Sequence, residues 1–354
     1  MLSTASSVGT RISHDRVQLP RTLSDREIHA LASDHAIRYV QFFDRPDESV
    51  WDRLNAGLFQ RRPEVCLRVY GFPDGKNHLD FCAKMTAVQD FAVELGHATG
   101  LDCIGAMKEL KSIHISMSDP ECTDILQYVS PELTAVSITG GPAARRVDLG
   151  VLARFKSLRK LYLERHQKGI SVLAELKSLQ DLTLRSITLE SLDLLRTLPA
   201  LWSLDIKLGG TKNLCALESL ANLKYLELWK ITGLTDINVV STLTGLQFLF
   251  LQELKSINSL PSLTALSRLR KILLDTMNGL RSIQSLVEAP ALEYIGHIAN
   301  KTIPVEDYVP ILKKPTLKHI LVGFGNDRKN AQFARLVQEN GLPDVGRVSD
   351  FEFL

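Results

Sequence analysis

The sequence predicts an α/β solenoid, with a parallel sheet on its concave side, short helical or 3₁₀ segments on its convex side and a helical cap at each end. Apolar residues spaced i, i+3, i+5 recur at a near-constant interval through the chain. The stretches between them carry apolar spacing of their own, suited to single helical turns. Helix signals stand at either end of the repeated region, where a stack must cover its core.

The strands are clearest in the middle, as Leu158-Arg-Lys-Leu161-Tyr-Leu163, Leu179-Gln-Asp-Leu182-Thr-Leu184, Leu201-Trp-Ser-Leu204-Asp-Ile206, Leu223-Lys-Tyr-Leu226-Glu-Leu228, Leu246-Gln-Phe-Leu249-Phe-Leu251 and Leu269-Arg-Lys-Ile272-Leu-Leu274. Their starting positions lie 21, 22, 22, 23 and 23 residues apart. Weaker copies begin at Leu110, Leu133, Leu292 and Leu317, and upstream at Val88, with degenerate ones over 64–69 and 37–42. About thirteen strands result. Side chains alternate along a strand, so i+3 and i+5 point to one face and their neighbours to the other. A single strand cannot bury its apolar row, but stacked parallel copies make a continuous core. Return segments such as Leu217-Glu-Ser-Leu220 and Leu234-Thr-Asp-Ile237 supply the convex wall.

This pattern resembles the leucine-rich repeats, and among them the bacterial internalin-like class of about 22 residues with its L-x-D-I return. The resemblance covers about residues 37–322 and implies a curved right-handed superhelix from a bacterial protein. It departs from that class at one column. The asparagine usual three residues after the last strand leucine is replaced by His166, Ile187, Gly209, Ile231, Leu254 and Met277, so the asparagine ladder is absent and loop backbone must be satisfied otherwise.

The expected organisation is an N-terminal tail and cap helix over 1–36, the solenoid over 37–322 with degenerate repeats over 37–87, and a C-terminal cap over 323–354. Ser24-Asp-Arg-Glu27 is a capping box that opens a helix with Ile28 and Leu31 on one face. A helix near 48–59 spaces Val50, Trp51, Leu54 and Leu58 for burial, and one over 326–339 buries Phe333, Leu336 and Val337. Phe351-Glu-Phe353-Leu354 is expected to add an edge segment or pack on that last helix.

Composition bounds the function. The 42 Lys and Arg nearly balance 40 Asp and Glu, so no global field draws the chain to nucleic acid or an anionic membrane. Cys66, Cys82, Cys103, Cys122 and Cys215 are odd in number and form no C-x-x-C pair, which points to reduced thiols without a zinc site. The first 20 residues lack the apolar core of a signal peptide, and no apolar run is long enough to span a bilayer. A cytoplasmic location is expected, which makes the sequon at Asn300 a chance triplet.

Candidate chemistry is sparse. Strand, Gly323-Phe-Gly325 and helix follow one another as in a dinucleotide site, but Arg328 stands at the third glycine and no strand–helix unit with a ribose-binding acid follows. Cys122-Thr-Asp124 is similar to the Cys-x-Asp of bacterial leucine-rich-repeat ubiquitin ligases, whose catalytic domain has no counterpart here. The thiol is expected to be structural. The histidines show no metal or triad spacing. No catalytic residue, cofactor or metal site is therefore expected.

The register makes a residue-level expectation for binding. Positions i+2, i+4 and i+6 should project from the concave sheet. Their charged residues are Arg68, Asp90, Glu94, Lys160, Glu164, Asp181, Arg185, Asp205, Lys207, Glu227, Lys271 and Asp275, mixed in sign rather than a basic stripe. The same positions hold Tyr162, Tyr225, Trp229, Phe248, Phe250, Leu273 and Tyr294, large apolar groups where water should be. Exposed apolar patches usually mark interaction surfaces. A loop or the C-terminal cap folded over these rings, or a register off by one, is the alternative.

The expected function is a non-catalytic scaffold holding a partner protein on the concave face, centred on Tyr225, Trp229, Phe248 and Phe250 and flanked by Asp205, Lys207, Glu227 and Asp275, in an immunity or regulatory role. The alternative is a small-molecule or nucleotide sensor, or an enzyme, using His297, His319 and the 323–328 turn.

Overall fold

A computed structural model describes residues 9–72, 77–117, 124–140, 148–343 and 351–354. The chain forms two compact units, Met1–Val172 and Leu173–Leu354. Each is a stack of short strands in sequence order.

The first unit holds β1 (Thr10–Ser13), β2 (Arg16–Gln18), β3 (Tyr39–Phe42), β4 (Cys66–Tyr70), β5 (Asp90–Glu94), β6 (Ser112–Met117), β7 (Ala135–Gly140) and β8 (Lys160–Glu164). β1 and β2 form an antiparallel hairpin, and from β2 to β8 successive strands pair in parallel. β3 to β8 stand where the i, i+3, i+5 template places them. The hairpin adds two strands in a region expected to be tail and cap helix. Thr10–Ser13 is exposed along its whole length, so it carries no apolar alternation to read.

The capping helix runs over Asp25–Ser33 and buries Ile28, Leu31 and Ala32. Its capping box is complete: the Ser24 hydroxyl accepts from the Glu27 N–H at 3.3 Å, and the Ser24 N–H donates to the Glu27 carboxylate at 2.7 Å. Ser24→Ala should lower stability by about 1 kcal/mol in urea unfolding, with Ser24→Asp keeping most of it. The next helix, Glu48–Leu54, ends in a single π turn over Asn55–Phe59 and drives Trp51 into a cluster of aromatic rings. Trp51 stacks on Phe81 at 4.3 Å and meets the edge of Phe42 at 5.2 Å.

The second unit holds β9 (Asp181–Arg185), β10 (Ser203–Lys207), β11 (Tyr225–Trp229), β12 (Phe248–Gln252), β13 (Lys271–Asp275), β14 (Tyr294–Ile298) and β15 (His319–Val322), all parallel. The returns are 3₁₀ turns over Asp193–Thr197, Cys215–Ser219 and Asn238–Thr242, then short α turns over Ser285–Glu288 and Val309–Leu312. Template leucines such as Leu182, Leu204, Leu226, Leu249 and Leu274 are fully buried, so the period-two register holds. The helix Asp327–Glu339 closes the stack with Phe333 and Val337 buried. The Asn326 side chain caps it by accepting from the Lys329 N–H at 3.0 Å.

Backbone geometry replaces the missing asparagine ladder. Directly after β9 to β13 one residue adopts a left-handed conformation: Ser186, Leu208, Lys230, Glu253 and Thr276 all have φ between 49° and 57°. That turn aims its N–H at the last carbonyl of the next strand, giving Ser186 to Lys207, Leu208 to Trp229, Lys230 to Gln252, Glu253 to Asp275 and Thr276 to Ile298, at 2.7–3.0 Å. Each costs on the order of 1 kcal/mol in a non-glycine residue but satisfies a buried donor. With the amide's work done by backbone, the asparagine column turns apolar, and Ile187, Ile231, Leu254 and Met277 are buried there. Gly209 breaks the row because a Cβ would stand 2.1 Å from the Ile187 carbonyl oxygen.

Candidate functional site on the outward sheet face

The parallel register arranges the outward side chains of the second unit in three rows across the strands. The first row reads Asp181, Ser203, Tyr225, Phe248, Lys271, Tyr294 and His319. The second reads Thr183, Asp205, Glu227, Phe250, Leu273, Gly296 and Leu321. The third reads Arg185, Lys207, Trp229, Gln252, Asp275 and Ile298. The residues expected at the centre of the face are therefore distributed. Tyr225 and Phe248 meet edge to face at 5.1 Å in the first row, Phe250 lies in the second, and Trp229 lies in the third.

The second row changes character along its length. At its N-terminal end Lys207 reaches between two carboxylates, 3.0 Å from Asp205 and 2.9 Å from Glu227. The Thr183 hydroxyl donates to Asp205 at 3.1 Å and the Tyr225 hydroxyl to Glu227 at 2.9 Å. Asp205 and Glu227 are buried, with 8% and 6% of their surface exposed. Burial, then the hydrogen bond with Glu227, pushes the Asp205 carboxyl well above the usual carboxylate range against the pull of Lys207. Burial also acts upward on Glu227, but hydrogen bonds from Asp205 and Lys207 outweigh it and hold that carboxyl low. The two carboxyls are thereby driven apart in acidity, with the Lys207 ammonium lying against both. A cluster of this kind presents polar groups held in place by their mutual bonds.

Beyond the cluster the row becomes apolar. Phe250 and Leu273 are half-buried, Leu273 leans over the bare backbone of Gly296, and Leu321 is 50% exposed, with Ile298 beside it in the third row at 45%. What marks the strip is that its open aliphatic groups adjoin one another, since contiguous apolar patches are the form interaction surfaces take. The third row frames the strip: the Arg185 guanidinium lies 5.3 Å over the Trp229 ring, the Trp229 indole donates to Glu253 at 3.2 Å, and Gln252 donates to Asp275 at 3.1 Å. Sequence reading missed Ile298 and Leu321, although both stand at positions of the same template.

The first row is partly covered. Residues 351–354, expected at a sheet edge or against the last helix, instead lie on the aromatic row. Phe353 meets Trp202 at 5.3 Å and Tyr225 at 6.2 Å, and Phe351 meets Phe248 at 5.5 Å and Tyr294 at 6.5 Å. Covering by a C-terminal segment had been open from the sequence, and it takes Tyr225, Phe248 and Tyr294 while the strip from Phe250 to Leu321 stays clear of these ring contacts.

The first unit presents a different surface. Arg68 is held by both oxygens of Glu94 at 2.7 and 2.6 Å and by Gln41 at 2.7 Å, and the Tyr70 hydroxyl donates to Gln18 at 2.6 Å. Tyr162 sits half-buried in the row of Ser137 and His114, which bond each other at 2.8 Å. Its neighbours in that row are polar rather than part of an apolar strip.

The alternative site at the C-terminal turn is not assembled. His297 and His319 point to opposite faces, because His319 pairs with Tyr294 in register and His297 lies three residues further along. His319 stacks on Tyr294 at 5.1 Å, whereas His297 is fully buried and bonds the Tyr308 hydroxyl at 2.6 Å. A groove of about 340 Å³ beside the turn is lined chiefly by apolar residues such as Leu321, Phe333 and Val337. Asn300 is buried, its amide nitrogen bonded to the Ile303 carbonyl and the Tyr308 hydroxyl. Cys66 and Cys82 are buried thiols, Cys215 is exposed, and Cys122 lies outside the described residues. Among the described residues no cluster of three His, Cys, Asp or Glu side chains is placed to hold a metal, and no helix is long and apolar enough to cross a membrane.

Comparison with known proteins follows the architecture. The internalin InlF of Listeria monocytogenes is similar with a TM-score of 0.53 at 14% identity, over 88% of this chain and 87% of its own. A leucine-rich-repeat protein of Leptospira interrogans gives a TM-score of 0.45 at 16% identity over 86% and 81%, and internalin C2 of L. monocytogenes gives 0.38 at 21% over 55% and 74%. No family model and no curated protein matches the chain. With the InlF likeness added to the strand register, the fold is that of an internalin-like leucine-rich-repeat solenoid without the asparagine ladder.

Proposed function

We propose that this chain is a non-catalytic scaffold that holds a partner protein on the outward face of the second unit, in the cytoplasm and in a regulatory or immunity role. The observation that supports this reading is the second row, where the apolar strip of Phe250, Leu273 and Leu321 runs into the buried, pre-paired Asp205–Lys207–Glu227 cluster. Aromatic and aliphatic anchors ringed by fixed polar groups are the usual anatomy of a binding hot spot. The anchors supply affinity, while the locked charges penalise partners that cannot match them. A mixed-sign face favours protein over nucleic acid, whose phosphates call for a basic stripe.

Once the partner has been isolated from the source cell, titration calorimetry with Trp229→Ala/Phe250→Ala should show binding weaker by about 2 kcal/mol or more, roughly thirtyfold, with an unchanged circular dichroism spectrum. Undiminished affinity would reject this face.

A further inference from the structure

The contact between residues 351–354 and the first row has the form of a peptide complex made within one chain. Its polar half involves the column just before the strands. The Gln247 side chain is almost fully buried, with 1% of the residue exposed, and its carboxamide spends both groups on one residue. Its oxygen accepts from the Leu354 N–H at 2.7 Å, and its nitrogen donates to the Leu354 carbonyl at 2.7 Å. Lys224 donates to that same carbonyl at 2.6 Å and Arg270 to the Glu352 carbonyl at 3.2 Å. All four bonds go to backbone atoms, so they recognise an extended chain whatever its side chains. Choice of side chain falls to the rings: Trp202 and Tyr225 receive Phe353, while Phe248 and Tyr294 receive Phe351. The Lys271 ammonium lies 4.6 Å from the Phe248 ring and 5.6 Å from that of Phe351.

The occupant is loosely seated for so complete a set of contacts. Phe353 is 36% exposed and Leu354 76% exposed. A segment held this way can be exchanged for another of the same kind, since its backbone bonds are generic and its leucine is largely in water.

We propose that the groove formed by Trp202, Tyr225, Gln247, Phe248, Lys271 and Tyr294 is a peptide-binding site for an extended aromatic–acidic–aromatic–aliphatic segment of a partner protein, with residues 351–354 as its tethered competitor. The acidic residue between the two rings follows Glu352 of the present occupant, and Lys224, Lys271 and Arg270, the last also paired with Glu293 at 3.1 Å, set positive charge beside the groove. This deepens the scaffold reading by naming what the face takes. Its test needs no native partner, so its failure is separate from a failure of partner capture.

The probe is a fluorescein-labelled peptide of residues 343–354, titrated by fluorescence polarisation against the full chain and against Phe351→Ala/Phe353→Ala, which frees the groove. A short tether supplies an effective concentration in the millimolar range, so the freed variant should bind the peptide at least tenfold more tightly than the unaltered chain. Adding Gln247→Ala should weaken that binding at least fivefold, and a peptide with serine at both phenylalanine positions should not bind. Melting curves matching those of the unaltered chain confirm that each variant is folded. Equal affinity for closed and freed chains, indifference to Gln247→Ala, or no binding by a folded freed variant at millimolar peptide would overturn the proposal. Dimerisation of the unaltered chain in sedimentation, lost in Phe351→Ala/Phe353→Ala, would place the segment on a second copy and overturn it as well.

Discussion

Replacing Trp51 by alanine is expected to lower the stability of the first unit by about 3–5 kcal/mol, the usual cost of emptying a large aromatic site. Trp51 is completely buried and lies flat against Phe81, which in turn meets Phe72 and Phe91 edge-on at 6.5 and 6.2 Å. The helix that carries it presents Val50 and Leu54 to the same core, so the cavity cannot close without moving the whole turn. Trp51→Phe is the informative contrast. The indole N–H meets no acceptor among the described residues, and an unpaired buried donor costs on the order of 1–3 kcal/mol. Removing it offsets part of the lost packing, so urea unfolding should place Trp51→Phe at less than half the loss of Trp51→Ala. Equal losses would show that this ring cluster does not govern the unit's stability.

A second large effect is expected in acid. His297 occupies a core position that leucine fills in other repeats, and burial lowers its pKa to about 4 from an ordinary value near 6.5. The neutral imidazole belongs to the folded state and the unfolded chain takes the proton first. Stability from this group is therefore intact above about pH 6.5 and is lost as pH falls toward 4, by about 3 kcal/mol at pH 4. His297→Leu/Tyr308→Phe should flatten that slope, because it removes the titrating group together with the hydroxyl that bonds it at 2.6 Å. Asn300 keeps the Ile303 carbonyl at 2.8 Å but loses the Tyr308 hydroxyl at 3.2 Å, a cost that does not vary with pH because the amide does not titrate, so it leaves the slope untouched. The measurement is the difference in unfolding free energy between the two proteins from pH 7.5 to pH 4, in which the carboxylates common to both cancel. Parallel slopes would remove His297 as the source.

The strand register was legible because it depends on a side-chain period, and a period survives in sequence whatever lies between its members. Leu204 and Ile206 point inward, and Asp205 and Lys207 outward, on that ground alone. The hydrogen-bonded turns after the strands were not legible, since they are a matter of φ in residues as unlike as Ser186, Leu208, Lys230 and Glu253. The cluster of Asp205, Lys207 and Glu227 was visible as three outward charges, but their mutual bonding requires adjacent strands to stand in register side by side. Cover of the rings by a C-terminal segment was open from the sequence, but the seats that Phe351 and Phe353 take were not legible. Trp202 and Gln247 occupy the position before their strands, where alternation says nothing about direction, and a contact across 107 residues leaves no local trace.

The left-handed turns also bear on how such a molecule changes over generations. From β9 to β14 each turn passes its N–H to the strand that follows without reference to side chains, so these five junctions are chemically equivalent to one another. Duplication or deletion of a whole 22- or 23-residue module would leave the junctions on either side intact. The outward rows would lengthen or shorten by one residue each, which lets the footprint drift in size while the scaffold beneath it is inherited unchanged.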